Sequence, residues 1–192
     1  GAATDAGPAT DGGAWPGMRA RGWPASALLR TARLTLEPVS AAHAPAMVPV
    51  LADPALYAVI GGEPPDLDAL GRRYARWEHP VSDDGTEAWL NWVIVTGDGP
   101  AGTVQATVTD GGTRANLAWV IGTAFQGRGL ATEAARAMAA WLTARGVTEF
   151  LADIEPGHGP SERVARRLGL RPTPELVDGE TRWVARATEM AR

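Results

Sequence analysis

Apolar and polar positions change their period repeatedly along this chain, and each period predicts a different element. Leu34 and Leu36 alternate with polar neighbours across residues 31–38, the two-residue repeat of a half-buried strand. Ser40 can then cap a helix carrying Met47, Val50, Leu51 and Leu56. Pro45, Pro49 and Pro54 restrict that stretch to short or broken helical pieces. The breaker Gly61-Gly62-Glu63-Pro64-Pro65 ends the region, and beyond Asp66 the residues Leu67, Leu70, Tyr74 and Trp77 share one helical face. Strand-like runs follow at 88–96, 101–109 and 114–121, and their short Gly/Asp connections make them antiparallel neighbours.

A helical period returns at Leu130, Ala134, Ala137, Met138, Trp141 and Leu142, and Gly146 fits the exit of that helix. Residues 149–155 read as a strand, which the intervening helix makes parallel to the preceding strand through a right-handed crossover. Ser161 can cap a last helix with Val164, Ala165 and Leu168, stopping at Gly169. The sequence Val177-Asp178-Gly179-Glu180 is a two-residue hairpin signal. Residues 1–30 carry Gly, Ala, Pro, Asp and Thr without a period and predict a poorly ordered tail, ahead of one domain over residues 31–192. The fold class predicted is α+β, with a mixed central sheet built from an antiparallel meander, a parallel crossover and a C-terminal hairpin.

Composition removes several classes of function. With 45% hydrophobic and 21% charged residues the chain reads as soluble, and no apolar run is long enough for a membrane span. A net charge of −4 disfavours a sequence-independent grip on nucleic acid. Neither nucleic acid nor membrane is therefore an expected partner. The absence of cysteine excludes disulfides, thiolate metal sites and a cysteine nucleophile. His43, His79 and His158 lie far apart without ligand spacing, so no metal is expected. The N-terminal stretch lacks the apolar core of a secretory signal, which makes a cytoplasmic location the default.

The most informative segment is the run from Trp119 through Gln126-Gly127-Arg128-Gly129-Leu130-Ala131-Thr132, an apolar strand that loops through glycines and opens a helix. The unpaired N–H groups and dipole of a helix start suit a phosphate, and the glycines let backbone approach it. A P-loop needs a lysine, and all 18 basic residues of this chain are arginine. A dinucleotide (NAD or NADP) fold would use Gly127 and Gly129 with Glu149 or Asp153 as the ribose acid. Thr132, however, stands where its third glycine belongs, and four residues separate Gly122 from Gly127.

The run Gln126-Gly127-Arg128-Gly129-Leu130-Ala131 resembles the Gln/Arg-x-x-Gly-x-Gly/Ala signature of the GNAT N-acetyltransferase superfamily. From about residue 31 to the end, the order of elements is similar to that family's. Residues 119–134 and 154–169 resemble the branch of the ribosomal-protein N-terminal (alanine) acetyltransferases. The resemblance implies acetyl-coenzyme A as acyl donor and a primary amine as acceptor, either a peptide N-terminus or a small molecule, with direct attack in a ternary complex. It leaves a homodimer open. It implies that the donor is held by backbone near Trp119 and Ile121, by Gln126, Gly127, Arg128, Gly129, Leu130, Ala131 and Thr132, and by His158 and Ser161. His158 stands where the family commonly has Asn. Ala165 stands where other branches place a Tyr acid, which shifts the thiol-protonating role to Ser161.

Ser161 has a plainer reading as an N-cap. Glu87, Asn116, Asp153, Glu155 and Glu175 are positional candidates for a general base, with none favoured. Acidic residues at 63, 66, 68, 83, 84 and 87 could attract a cationic amine, and Trp77 and Trp89 could line an acceptor pocket. A hydrolase built on Ser161 and His158 fails because Arg163 replaces the second glycine of the nucleophile elbow. A non-catalytic acyl-coenzyme A sensor remains the rival reading.

Overall fold

A computed structural model describes residues 26–190. Eight strands form one mixed sheet: β1 (Leu29–Arg30), β2 (Thr35–Pro38), β3 (Ala88–Thr96), β4 (Gly99–Thr109), β5 (Arg114–Ile121), β6 (Glu149–Ile154), β7 (Arg171–Val177) and β8 (Glu180–Arg186). Their spatial order is β1-β2-β3-β4-β5-β6-β8-β7. Every neighbouring pair is antiparallel except β5 and β6. A doubly wound dinucleotide fold needs a largely parallel sheet, so that alternative is excluded by topology.

Five α-helices accompany the sheet: α1 (Ala44–Val50), α2 (Tyr57–Ile60), α3 (Leu67–Trp77), α4 (Leu130–Thr143) and α5 (Gly159–Leu168). Strand alternation divides the core in two. On one face Leu90, Trp92, Val104, Ala106, Leu117, Trp119, Phe150 and Ile154 pack with Ala134, Met138 and Leu142 of α4 and with Ala165 and Leu168 of α5. On the other, Val93 and Val120 pack with Met47 of α1 and with Leu70 and Tyr74 of α3. Among the described residues no single helix is long and apolar enough to cross a membrane.

Three expectations are corrected by local packing. The boundary of the N-terminal tail falls too late, because Leu29 and Arg30 pair with Leu36 and Thr35, and the Ala27 carbonyl accepts a hydrogen bond from Trp92 Nε1 at 2.8 Å. The rest of the predicted tail, residues 1–25, lies outside the described residues. Leu67 does not join the buried face of α3, since it sits in the first turn, immediately after the Asp66 cap, and remains exposed. Ser161 is not an N-cap. His158 takes that place, and the helix starts at Gly159 because Pro160, which has no N–H to leave unpaired, is tolerated in the first turn.

At the C-terminal end of β5 the sheet is unusually tight. Gly102 of β4 lies opposite Ile121, and a Cβ on Gly102 would collide with the Val120 carbonyl oxygen. Gly71, by contrast, sits inside α3 with open space around it. Gly102→Ala should therefore destabilise the fold by about 1–3 kcal/mol through overpacking. Gly71→Ala should stabilise it by about 0.5–1 kcal/mol through helix propensity. Urea unfolding of the two variants beside the parent measures both signs.

Candidate functional site

The parallel pair at the centre of the sheet is short. Only Arg114, Ala115 and Asn116 of β5 pair with Glu149, Phe150 and Leu151 of β6, although β5 runs on to Ile121 and β6 to Ile154. Each strand keeps its other partner past that point, β5 with β4 and β6 with β8. The two therefore part from Leu117 onward. The Gly122 N–H bonds the Ala101 carbonyl of β4 at 2.8 Å, so alternation turns the backbone groups of Trp119 and Ile121 the other way, into the opening. Open edge groups of this kind seek hydrogen-bond partners. The Gln126 side chain supplies one, its Nε2 donating to the Ile121 carbonyl at 3.0 Å.

Beyond β5 the chain makes a single 3-10 turn (Thr123–Phe125), passes through Gly127, and enters α4 at Gly129. Gly129 is left-handed (φ 76°), a conformation that costs any residue with a Cβ. No side chain caps α4, so the N–H groups of its first turn have no local acceptor. A cleft of about 500 Å³ opens over this helix start. Its floor and one wall are Trp119, Val120, Ile121 and the residues from Thr123 to Thr132 other than Ala124 and Arg128. α5 contributes Pro160, Ser161, Arg163, Val164 and Arg167, with His158 beside them, and Ala55, Leu56, Val59 and Ile60 add an apolar wall.

Of the eleven donor-binding residues expected from sequence, ten line this cleft. Arg128 turns away, with its guanidinium on the Ala124 carbonyl, over the Phe125 ring, and 3.6 Å from Asp98. Three polar atoms buried around the cleft have no hydrogen-bond partner: Trp119 Nε1, Thr132 Oγ1 and His158 Nδ1. An unpaired buried polar atom typically costs about 1–3 kcal/mol, and four more among the described residues, Tyr74 Oη, Gln105 Oε1, Arg136 Nε and Trp183 Nε1, belong to residues outside the cleft. Ser161 is only 4% exposed and sits in the first turn of α5. Arg163 and Arg167, one turn apart on α5, add positive charge to the rim. Their i, i+4 spacing, which puts them on one helical face, is legible in the sequence.

The five positional candidates for a base lie outside the cleft. Asp153 is held by Arg182 at 2.9 and 3.1 Å and accepts from Asn116 Nδ2 at 2.9 Å. Glu175 shares the same arginine at 3.1 Å. Glu87, nearly buried, accepts from Trp89 Nε1 at 2.8 Å, and Glu155 is exposed. Asp66 is committed to capping α3, and hydrogen bonds from Ser82 and Thr86 hold the Asp84 carboxyl down at about 2. Trp77 and Trp89 are half-buried, whereas Trp92, Trp119, Trp141 and Trp183 are core. Among the described residues no cluster of His, Asp and Glu is arranged to hold a metal ion.

Residues 33–171 match the model of the acetyltransferase (GNAT) domain. The chain therefore belongs to the GNAT acetyltransferase family. An acetyltransferase of Thermus thermophilus superposes with a TM-score of 0.66 at 25% identity, over 83% of this chain and 99% of that one. The ribosomal-protein alpha-N-acetyltransferase RimL, in complex with coenzyme A, superposes with a TM-score of 0.71 at 16% identity, over 83% and 98% of the two chains. An aminoglycoside acetyltransferase in complex with coenzyme A gives 0.66 at 19% identity, over 81% and 96%. No curated protein sequence matches this chain.

Burial lowers the pKa of His158 from its ordinary 6.5, so the folded state prefers the neutral ring. The resulting stability is fully present above pH 6.5. It is lost as pH falls through the lowered folded-state value, because the unfolded chain takes up the proton first. Thermal unfolding of the parent should therefore weaken from pH 7 to pH 5 more steeply than that of His158→Asn, and parallel curves would refute the assignment.

Proposed function

We propose that this GNAT family member is an acyl-coenzyme A-dependent N-acyltransferase that uses acetyl-coenzyme A and acylates a primary amine. The acceptor is a peptide N-terminus or a small-molecule amine, the two kinds of acceptor that RimL and the aminoglycoside enzyme take. The observation that carries the reading is a cleft beside the unpaired end of β5 that ends at an uncapped helix start. Gln126, Thr132, His158 and Ser161, set among apolar residues of the lining, suit a ligand with polar groups along its length. The bare amides of α4 and the guanidinium groups of Arg163 and Arg167 match one that is anionic at one end. The strand edge at Trp119 and Ile121 suits an amide-bearing arm laid along it as a further strand would be.

The donor supplies an activated thioester, from which the acyl group passes directly to the amine nitrogen. The chain has three tasks in that exchange: to hold the donor, to exclude water, and to keep a proton ready for the departing sulfur. The first falls to the residues just named. The apolar wall of Ala55, Leu56, Val59 and Ile60 serves the second. Ser161 is the hydroxyl assigned to the third, buried in the cleft and one helical turn ahead of Ala165.

A second reading has its own support. The residues lining the cleft include no carboxylate and no tyrosine. A sensor that binds the acyl donor without turning it over needs neither.

Acetyl-coenzyme A at about a hundred times its dissociation constant should stabilise the protein by ~2.7 kcal/mol in thermal unfolding, and NAD should leave it unchanged. Release of free thiol with a panel of amines separates enzyme from sensor. In an enzyme, Ser161→Ala should lower turnover at least tenfold while coenzyme A affinity, read by calorimetry, stays within threefold. Loss of both together would reduce Ser161 to a packing role.

A further inference from the structure

The start of α4 is held from outside by the turn between β1 and β2. Arg33 in that turn donates from Nη1 to the Arg128 carbonyl at 3.0 Å. Its Nε and Nη2 reach one oxygen of Glu133 in α4, at 2.7 and 2.6 Å. The other Glu133 oxygen accepts from Thr31 Oγ1 at 2.6 Å and from the Arg33 backbone N–H at 3.1 Å. Glu133 in turn donates its own N–H to the Gly129 carbonyl at 3.1 Å. Burial works to raise the Glu133 pKa, but the hydrogen bonds from Thr31 and Arg33 and the Arg33 charge outweigh it, so the carboxyl is held ionised.

Two consequences follow for an anion at this helix start. The peptide between Arg128 and Gly129 is planar and trans, so its N–H points opposite to its carbonyl. Arg33 fixes the carbonyl from the side of a second groove, which it lines with Thr31, Glu133 and Arg136. Gly129 and Thr132 line both that groove and the cleft. The Gly129 N–H is thereby aimed at the cleft. The second consequence is electrostatic. Glu133 places a negative charge in the first turns of the helix that is to receive an anion, and among the described residues Arg33 is its one cationic partner. The guanidinium also lies over Gly129, with Nη2 3.6 Å from where a Cβ would stand. The pair is too exposed, with the Arg33 side chain 53% accessible, for its main effect to be on global stability.

We propose that Arg33 is a positioning residue for the donor's diphosphate: it aims the Gly129 amide and cancels the charge of Glu133. This rests on the reading of the cleft as an acyl-coenzyme A site. Neither Arg33 nor Glu133 touches the reacting atoms, so the effect should appear in donor affinity and not in the chemical step.

The test compares acetyl-coenzyme A with S-acetylpantetheine, which keeps the thioester arm and lacks the diphosphate. Arg33→Ala should raise the KM for acetyl-coenzyme A about tenfold, leave kcat within threefold, and leave kcat/KM for S-acetylpantetheine unchanged. Arg33→Lys should fall between, since one ammonium cannot span Glu133 and the Arg128 carbonyl as the fork does. In Arg33→Ala/Glu133→Ala the KM should recover part of the way, because the unopposed carboxylate is gone. An Arg33→Ala variant that matches the parent, or that loses equally on both donors, overturns the proposal. A parent protein that binds no coenzyme A by calorimetry overturns the reading beneath it as well.

Discussion

The parting of β5 from β6 after three residue pairs is the constraint from which the rest of the structure follows. It leaves backbone groups of Trp119 and Ile121 without a strand, opens a cleft in an otherwise continuous sheet, and sets α4 and α5 to converge over the gap. The parting is enforced from both sides. β5 is clamped to β4 through its last residue, where Gly102 admits the Val120 carbonyl at a distance no side chain would tolerate. β6 is paired with β8 along its whole length, and Arg182 of β8 adds two bonds to Asp153. Each strand is thus committed to its outer neighbour, and the twist accumulated between them is released in the middle.

Electrostatics sort the two ends of that opening. Near the paired end, Asn116, Asp153, Arg182 and Glu175 form a closed network in which each carboxylate already has its cation. At the open end the arrangement is reversed: amides and guanidinium groups converge without an opposing carboxylate in the cleft. The one acid near the start of α4, Glu133, is neutralised by Arg33 on the far side of the loop. A net charge of −4 says nothing of this separation. What matters is that the acids are spent in pairs where the sheet is closed, and that the cations are left uncommitted where it opens.

Much of the architecture was legible because its signals are local. The strand-like runs between short Gly/Asp connections located β3, β4 and β5 almost to the residue, and the apolar stripe of α4 and the Asp178-Gly179 turn did the same for the later elements. Asp178 and Gly179 both take positive φ, as that turn requires. The strand–glycine–helix sequence placed eight of its nine expected residues on one cleft, since backbone geometry there depends on contiguous residues. Arg128 escaped the pattern because side-chain direction depends on Asp98 and Phe125, which periodicity does not address. The Thr31, Arg33 and Glu133 cluster escaped it because its members lie about a hundred positions apart. Ser161 was placed one turn too early in its helix, since a serine at a helix start fits the cap and the first turn equally well, and Pro160 decided between them.

The cleft also carries a thermodynamic cost. Leaving Trp119 Nε1, Thr132 Oγ1 and His158 Nδ1 without partners sacrifices stability that substitution by apolar residues of similar shape would recover. So does leaving α4 uncapped, when a serine or aspartate at the position of Gly129 could satisfy one of its amides, were the backbone there not left-handed. A bound group that met the bare amides of α4 would return the lost free energy only while it was there. The bare helix start and the parted strands thus leave backbone groups without partners next to one another, where β5 runs into α4.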